Sequence, residues 1–175
     1  MQLKKYRLLL ILGSILIAIC LFYYRYKIIN YIIDYKKEII VQNYLNNKNS
    51  PLIGVLEIPK INLKKGLYSF DSKDNQVNKN IEVLKESNLP YDIILAAHSG
   101  SGRTSYFKDI FKLEKNDVIY FYYENKKYTF GVVRTYKVLK TNYLSLNNSN
   151  NRLVLTTCDE EDDNMQYVVI ANLLY

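Results

Sequence analysis

Seventeen consecutive residues, Leu8 to Tyr24, carry no charge: LLLILGSILIAICLFYY. At the helical rise of about 1.5 Å per residue this run covers about 25 Å, the short end of a bilayer core. Lys4, Lys5 and Arg7 precede it, Arg25 and Lys27 follow, and Tyr23 and Tyr24 suit a membrane interface. A cleaved signal peptide needs small residues ahead of its cut, and Arg25, Tyr26 and Lys27 offer none. Lipoprotein processing at Cys20 would meet Ile19 where a small residue is wanted. Residues 1–27 therefore read as a short tip and an uncleaved transmembrane anchor. Because positive charge flanks both ends, the positive-inside rule gives no orientation.

The net charge of +7 is unevenly spread. Residues 1–48 hold eight Lys and Arg against two acids, and residues 49–175 hold sixteen against fifteen. The excess thus lies beside the anchor, where anionic lipid headgroups attract it. A nucleic-acid partner is excluded on this ground, since such a binder carries its basic face on the folded domain. Residues 28–51 read as a juxtamembrane helix (Ile28–Tyr44) with an Asn-rich spacer ending at Pro51. That leaves 52–175 as one domain with a core of its own.

In that domain short apolar runs alternate with turn signals. Gly54–Pro59, Asp92–His98, Val118–Glu124, Lys127–Lys140, Arg152–Cys158 and Gln166–Leu174 read as strands, with Asn125 and Lys126 as a hairpin turn. Residues Asn75–Glu86 read as a short helix with Val77, Ile81 and Leu84 on one face, and Ser105–Lys112 as a helical turn. The expected fold is mostly β: a closed β-barrel of seven to eight strands with short helices, preceded by an N-terminal transmembrane helix.

Two residues carry chemistry. His98 is the only histidine, and Cys158 is the only cysteine outside the anchor, so no disulfide joins the domain. Each closes a buried apolar strand. If those strands share direction, thiol and imidazole emerge at one rim of the barrel. A thiol becomes a nucleophile as the thiolate, and imidazole is the usual group that promotes it. Taken singly, each could instead be a small buried hydrophobe or a bonded polar residue.

The strings GVLEIPKINL, AAHSG, SYFKDIFKLEKNDVIYFYY and LVLTTC, with His before Cys, resemble the sortase family from about Leu52 to Leu174. The resemblance implies a cysteine transpeptidase that cleaves a C-terminal sorting signal of a secreted protein. Cys158 would form a thioacyl intermediate, and His98 would serve as acid and base. The acyl group would pass to a peptidoglycan-precursor or pilin amine. The resemblance also implies a single-pass protein of the cell membrane with its catalytic domain, 52–175, outside and the N-terminal tip in the cytoplasm. No cofactor is expected. Ser99, Thr156, Thr157 and Arg103 are the candidate substrate contacts. Sortases usually carry an arginine on the final strand, and alignment puts Gln166 there, an amide donor without charge.

Asp159–Asp163 is a run of five acids directly after Cys158. It reads as a solvated loop; the functional readings are an acidic lip for a cationic amine and a calcium loop using Asp159, Glu160 and Glu161. The connection Asn142–Asn151 leaves little room for an added helix. Papain-like enzymes place cysteine before histidine, and the Ser-His-Gly-like string of L,D-transpeptidases is absent. The remaining alternative is a catalytically weak or inactive sortase-like module that binds sorting signals or pilins.

Overall fold

The computed structural model describes residues 2–140 and 151–174. The chain divides into two compact units, Met1–Ile39 and Ile40–Tyr175. The first belongs to one continuous helix, α1 (Gln2–Leu45), whose stretch Leu10–Leu45 is long and apolar enough to cross a membrane. From Leu10 to Ile39 its Leu, Ile and Tyr side chains are exposed, which water would penalise and hydrocarbon would not. The helix stops where Asn47 adopts a left-handed φ of 57°. There the amides of Asn46 and Lys48 return to the carbonyls of Gln42 and Asn43.

The barrel unit begins inside the last turns of α1. Val41 is buried and packs with Leu52, Val55 and Tyr68. The Tyr44 hydroxyl donates to the Ile53 carbonyl at 2.9 Å and accepts from the Glu124 amide at 3.3 Å. Eight strands follow: β1 (Leu52–Ile58), β2 (Leu63–Tyr68), β3 (Glu82–Asn88), β4 (Asp92–Ala96), β5 (Val118–Tyr123), β6 (Lys126–Leu139), β7 (Arg152–Cys158) and β8 (Met165–Leu173). They form one sheet in the order β2-β1-β5-β6-β8-β7-β4-β3, a nearly closed barrel as expected. Leu56, Val83, Leu95, Phe121, Leu155 and Val169 point inward from different strands and are wholly or almost wholly buried.

Three expectations are corrected. The segment expected as a helix at Asn75–Glu86 is instead a set of turns leading into β3. Ile81 and Val83 are buried while Leu84 is exposed, the period of a strand rather than of a helix. Asn75 enforces this: its Oδ1 accepts from the Val83 amide at 2.7 Å and its Nδ2 donates to the Val83 carbonyl at 3.0 Å. The β5–β6 hairpin turns at Glu124 and Asn125, both at positive φ, one residue earlier than expected. The expected helical turn at Ser105–Lys112 contracts to turns and a 3-10 segment, Ile110–Lys112. The connection at 142–151 lies almost wholly outside the described residues.

One pairing governs everything that follows. β4 and β7 run parallel, Asp92 beside Arg152 through Ala96 beside Thr156. Every other strand pair is antiparallel. The register is fixed at its start by a buried ion pair, with Arg152 Nε donating to Asp92 Oδ1 at 3.2 Å and Lys85 Nζ on Oδ2 at 2.5 Å. The Arg152 amide donates to the Tyr91 carbonyl at 2.7 Å. Without Arg152 the buried Asp92 keeps only the half-exposed Lys85 and loses one charged hydrogen bond, so Arg152→Met should cost about 2 kcal/mol. Chemical unfolding of the full chain in detergent micelles, followed by tyrosine near-UV dichroism, would measure it. A loss below about 1 kcal/mol, the range of surface pairs, would contradict the assignment.

Candidate active site

Parallel strands in register carry their C-terminal ends to the same rim. β4 ends at Ala96, β7 at Cys158, and two further bonds extend the match past Ala96. The Ala97 amide donates to the Thr156 carbonyl at 3.3 Å, and the Thr157 hydroxyl donates to the Ala97 carbonyl at 2.8 Å. His98 and Cys158 are therefore the next residues on two stitched neighbours. Cys158 is exposed, as a nucleophile must be, at the end of an otherwise buried strand.

His98 has a fixed partner that sequence reading missed. Its Nε2 lies 2.8 Å from Oδ1 of Asn78. An amide oxygen accepts only, so Nε2 donates this bond and carries the hydrogen. Asn78 sits in the turns that replace the expected helix, bounded by the Lys79 and Asn80 amides donating to the Gln76 carbonyl at 2.9 and 2.8 Å. The asparagine-rich string Asn75-Gln-Val-Asn-Lys-Asn80 was the available signal for turn chemistry.

A cavity of about 420 Å³ opens beside the thiol, lined by Cys158, Ser99, Lys108, Phe111, Lys137, Tyr167 and the acids Asp159, Glu160 and Glu161. Of the residues expected to touch substrate, Ser99 and Cys158 line it. Thr156 and Thr157 are buried, and their hydroxyls bond Gln166 and Ala97, so they support the site from behind. Arg103 lies exposed on the loop after His98 and does not line the cavity. Gln166 stands directly across from Cys158 in the β7–β8 ladder, yet its Oε1 accepts from the Thr156 hydroxyl at 3.1 Å. By the pleat, its neighbour Tyr167 faces the other way, with Val169 and Ala171, and reaches the cavity. Its hydroxyl donates to the Phe111 carbonyl at 3.4 Å.

The acidic run is ordered rather than merely solvated. Lys137 Nζ lies 2.8 Å from Asp159 Oδ2 and 2.8 Å from Glu161 Oε2. Its hydrogen bond holds the Asp159 carboxyl below its ordinary value, and the two acids push Lys137 upward. A carboxylate so depressed keeps its pairing from neutral pH downward and loses it only as the pH falls through that lowered value. Glu160 Oε1 accepts from the Gly100 amide at 2.6 Å, linking the loop after Cys158 to the loop after His98. Gly100 has φ +80°, which glycine adopts without strain. Asp159 and Glu161 thus meet on the Lys137 ammonium while Glu160 turns to Gly100, and among the described residues no three His, Cys, Asp or Glu side chains group as metal ligands.

The single histidine makes the Asn78 contact directly testable. Long-range ¹H–¹⁵N correlation spectra of the full chain should show Nε2 carrying the ring hydrogen. Asn78→Ala should mix the tautomers and lower turnover about tenfold or more through lost ring orientation, while Asn78→Asp keeps the tautomer. An Nδ1–H ring in the parent would overturn the assignment.

A family model described as the sortase domain matches residues 56–174. Among solved structures, the chain is similar to sortase C of Streptococcus pneumoniae, with 21% identity, 73% of this chain and 71% of that one covered, and TM-score 0.61. It is similar to sortase C1 of Streptococcus agalactiae at 25% identity, with 71% and 68% covered and TM-score 0.60. For sortase A of Listeria monocytogenes the figures are 19% identity, 72% and 89% covered, and TM-score 0.62. No curated protein matches the sequence. The family match runs from Leu56 within β1 past the end of β8 and takes in both His98 and Cys158, and the chain belongs to the sortase family.

Proposed function

We propose that this chain is a membrane-anchored cysteine transpeptidase with Cys158 as nucleophile and His98 as its acid and base. The family supports sortase-type transpeptidation in general. The observation that carries the assignment to these two residues is the in-register β4–β7 pair, which the Ala97 bonds extend to the positions just before both of them.

The Cys158 thiolate attacks the scissile carbonyl of a sorting signal near the C-terminus of a secreted protein. An S–C bond forms, the C–N bond breaks, and the proton on His98 passes to the leaving amine. The acyl group then waits on sulfur. An incoming amine, from a peptidoglycan precursor or a pilin lysine, loses its proton to His98 and attacks. The new C–N bond replaces S–C and the thiolate returns. In this reading α1 anchors the enzyme in the cell membrane with the barrel outside, where secreted substrates pass. The chemistry needs no cofactor, and the acids after Cys158 serve as a lip rather than as calcium ligands.

A second reading is favoured by one observation: the Gln166 amide oxygen is engaged with Thr156, and among the described residues no arginine lines the cavity. A site so built would bind sorting signals or pilins with little turnover.

Intact mass spectrometry separates the two. The full chain in nanodiscs would be incubated with sorting-signal peptides, glycine and lysine amines, beside Cys158→Ala. A thioacyl adduct on the parent alone, resolving to peptide–amine product, is the expected result. His98→Ala should slow its formation by about 10²- to 10⁴-fold. Peptide bound by both proteins without an adduct would establish the binding module instead.

A further inference from the structure

The acidic run poses a problem that the sequence leaves open. Five carboxylates following a nucleophilic cysteine surround it with the wrong sign of charge, because negative charge nearby opposes both the thiolate and the anionic tetrahedral intermediate. The answer lies two strands away. Lys137 is on β6, which does not touch β7; β8 lies between them. Lys137 pairs with Tyr167 on β8, and Tyr167 pairs with Thr157 on β7, so the three form one row across the sheet. From the far end of that row the lysine extends past Tyr167 to Asp159, the residue after Cys158. All of Lys137, Tyr167, Cys158 and Asp159 line the same cavity.

We propose that Lys137 is a positioning residue of this site, whose ammonium clasps Asp159 and Glu161 and offsets part of the negative charge that the acidic run would otherwise set beside the Cys158 thiol. The proposal rests on the reading of Cys158 as the nucleophile. Three acids and two lysines line the cavity, a net of −1; without Lys137 the net is −2. The two clasped carboxylates differ in kind. The Asp159 side chain is 9% exposed and has little water to screen it, whereas that of Glu161 is 84% exposed. Asp159 is therefore the charge that Lys137 chiefly compensates. Lys140 holds the same connection through the Asp163 carbonyl at 2.6 Å, so the loop keeps a second tether when Lys137 is changed. The Lys137 side chain is itself 42% exposed, and pairs so exposed add little to stability, so its variants should fold.

Alkylation of the thiol measures the charge beside it without any substrate. The full chain carrying Cys20→Ser, in detergent micelles, has Cys158 as its sole thiol. Its second-order rates with anionic iodoacetate and neutral iodoacetamide would be compared as a ratio. A loosened loop moves both rates together, whereas a change of local charge moves the ratio. Lys137→Met should lower the ratio about three- to tenfold, Lys137→Arg should keep it, and Lys137→Met with Asp159→Asn should restore it. A ratio within twofold of the parent in Lys137→Met, or a fall that Asp159→Asn leaves unrepaired, overturns the proposal. Thioacyl formation with a sorting-signal peptide should follow the same order across the variants. A shifted ratio in a protein whose parent forms no adduct upholds the charge assignment and overturns the nucleophile reading instead.

Discussion

The parallel pairing of β4 with β7 is the constraint on which the site depends. The proposed chemistry asks for two side chains far apart in sequence, His98 and Cys158, to arrive at one place. Parallel strands do this only if their register is right, because a slip of one residue turns every side chain to the other face. Here the register is set twice. At the entry end the buried Asp92 and Arg152, with the half-exposed Lys85, form a charged lock. At the exit end Thr157 ties its hydroxyl to the Ala97 carbonyl, one residue from each of the two reactive positions. The lock lies six residues upstream of the thiol, about 20 Å along an extended strand. Stability and chemistry are thereby kept at opposite ends of the same pair.

That separation explains why Thr156 and Thr157 belong where they are. Hydroxyls in a buried strand are costly unless bonded. Both are bonded, one across to β4 and one across to β8, so each orients the end of β7 from a different side. Valines there would pack as well and lose both ties.

Sequence alone made the barrel legible and singled out His98 and Cys158, because apolar runs closed by such a residue are a local signal, although β4 ends at Ala96, two residues before the histidine. Other features are set by contacts that no local pattern reveals. The Asn75–Glu86 segment has apolar residues at helical spacing, but Asn75 bonds both backbone groups of Val83 and so converts it to turns and a strand. A helix there would not place Asn78 beside His98; the turns do. Gln166 stands out by alignment, whereas Tyr167 is the β8 side chain that lines the cavity. Lys137 was the least legible. Its position on β6 reads as an ordinary exposed strand lysine, and only the strand order brings a four-carbon stem within reach of Asp159.

The acidic run then takes on a definite meaning. Read along the chain, Asp159–Asp163 is a block of like charge, and such blocks repel and stay mobile. In the folded chain its carboxylates go to different partners. Asp159 and Glu161 receive Lys137, Glu160 receives the Gly100 amide, and Asp162 Oδ1 receives the Asn164 amide at 2.9 Å. Glu160 is the member that faces the histidine side. A single carboxylate there joins the loops that follow the two reactive residues, so a displacement of one loop is felt by the other. The same run that threatens the thiol electrostatically is what ties its loop to the histidine loop, and the compensating lysine is what makes the two properties compatible.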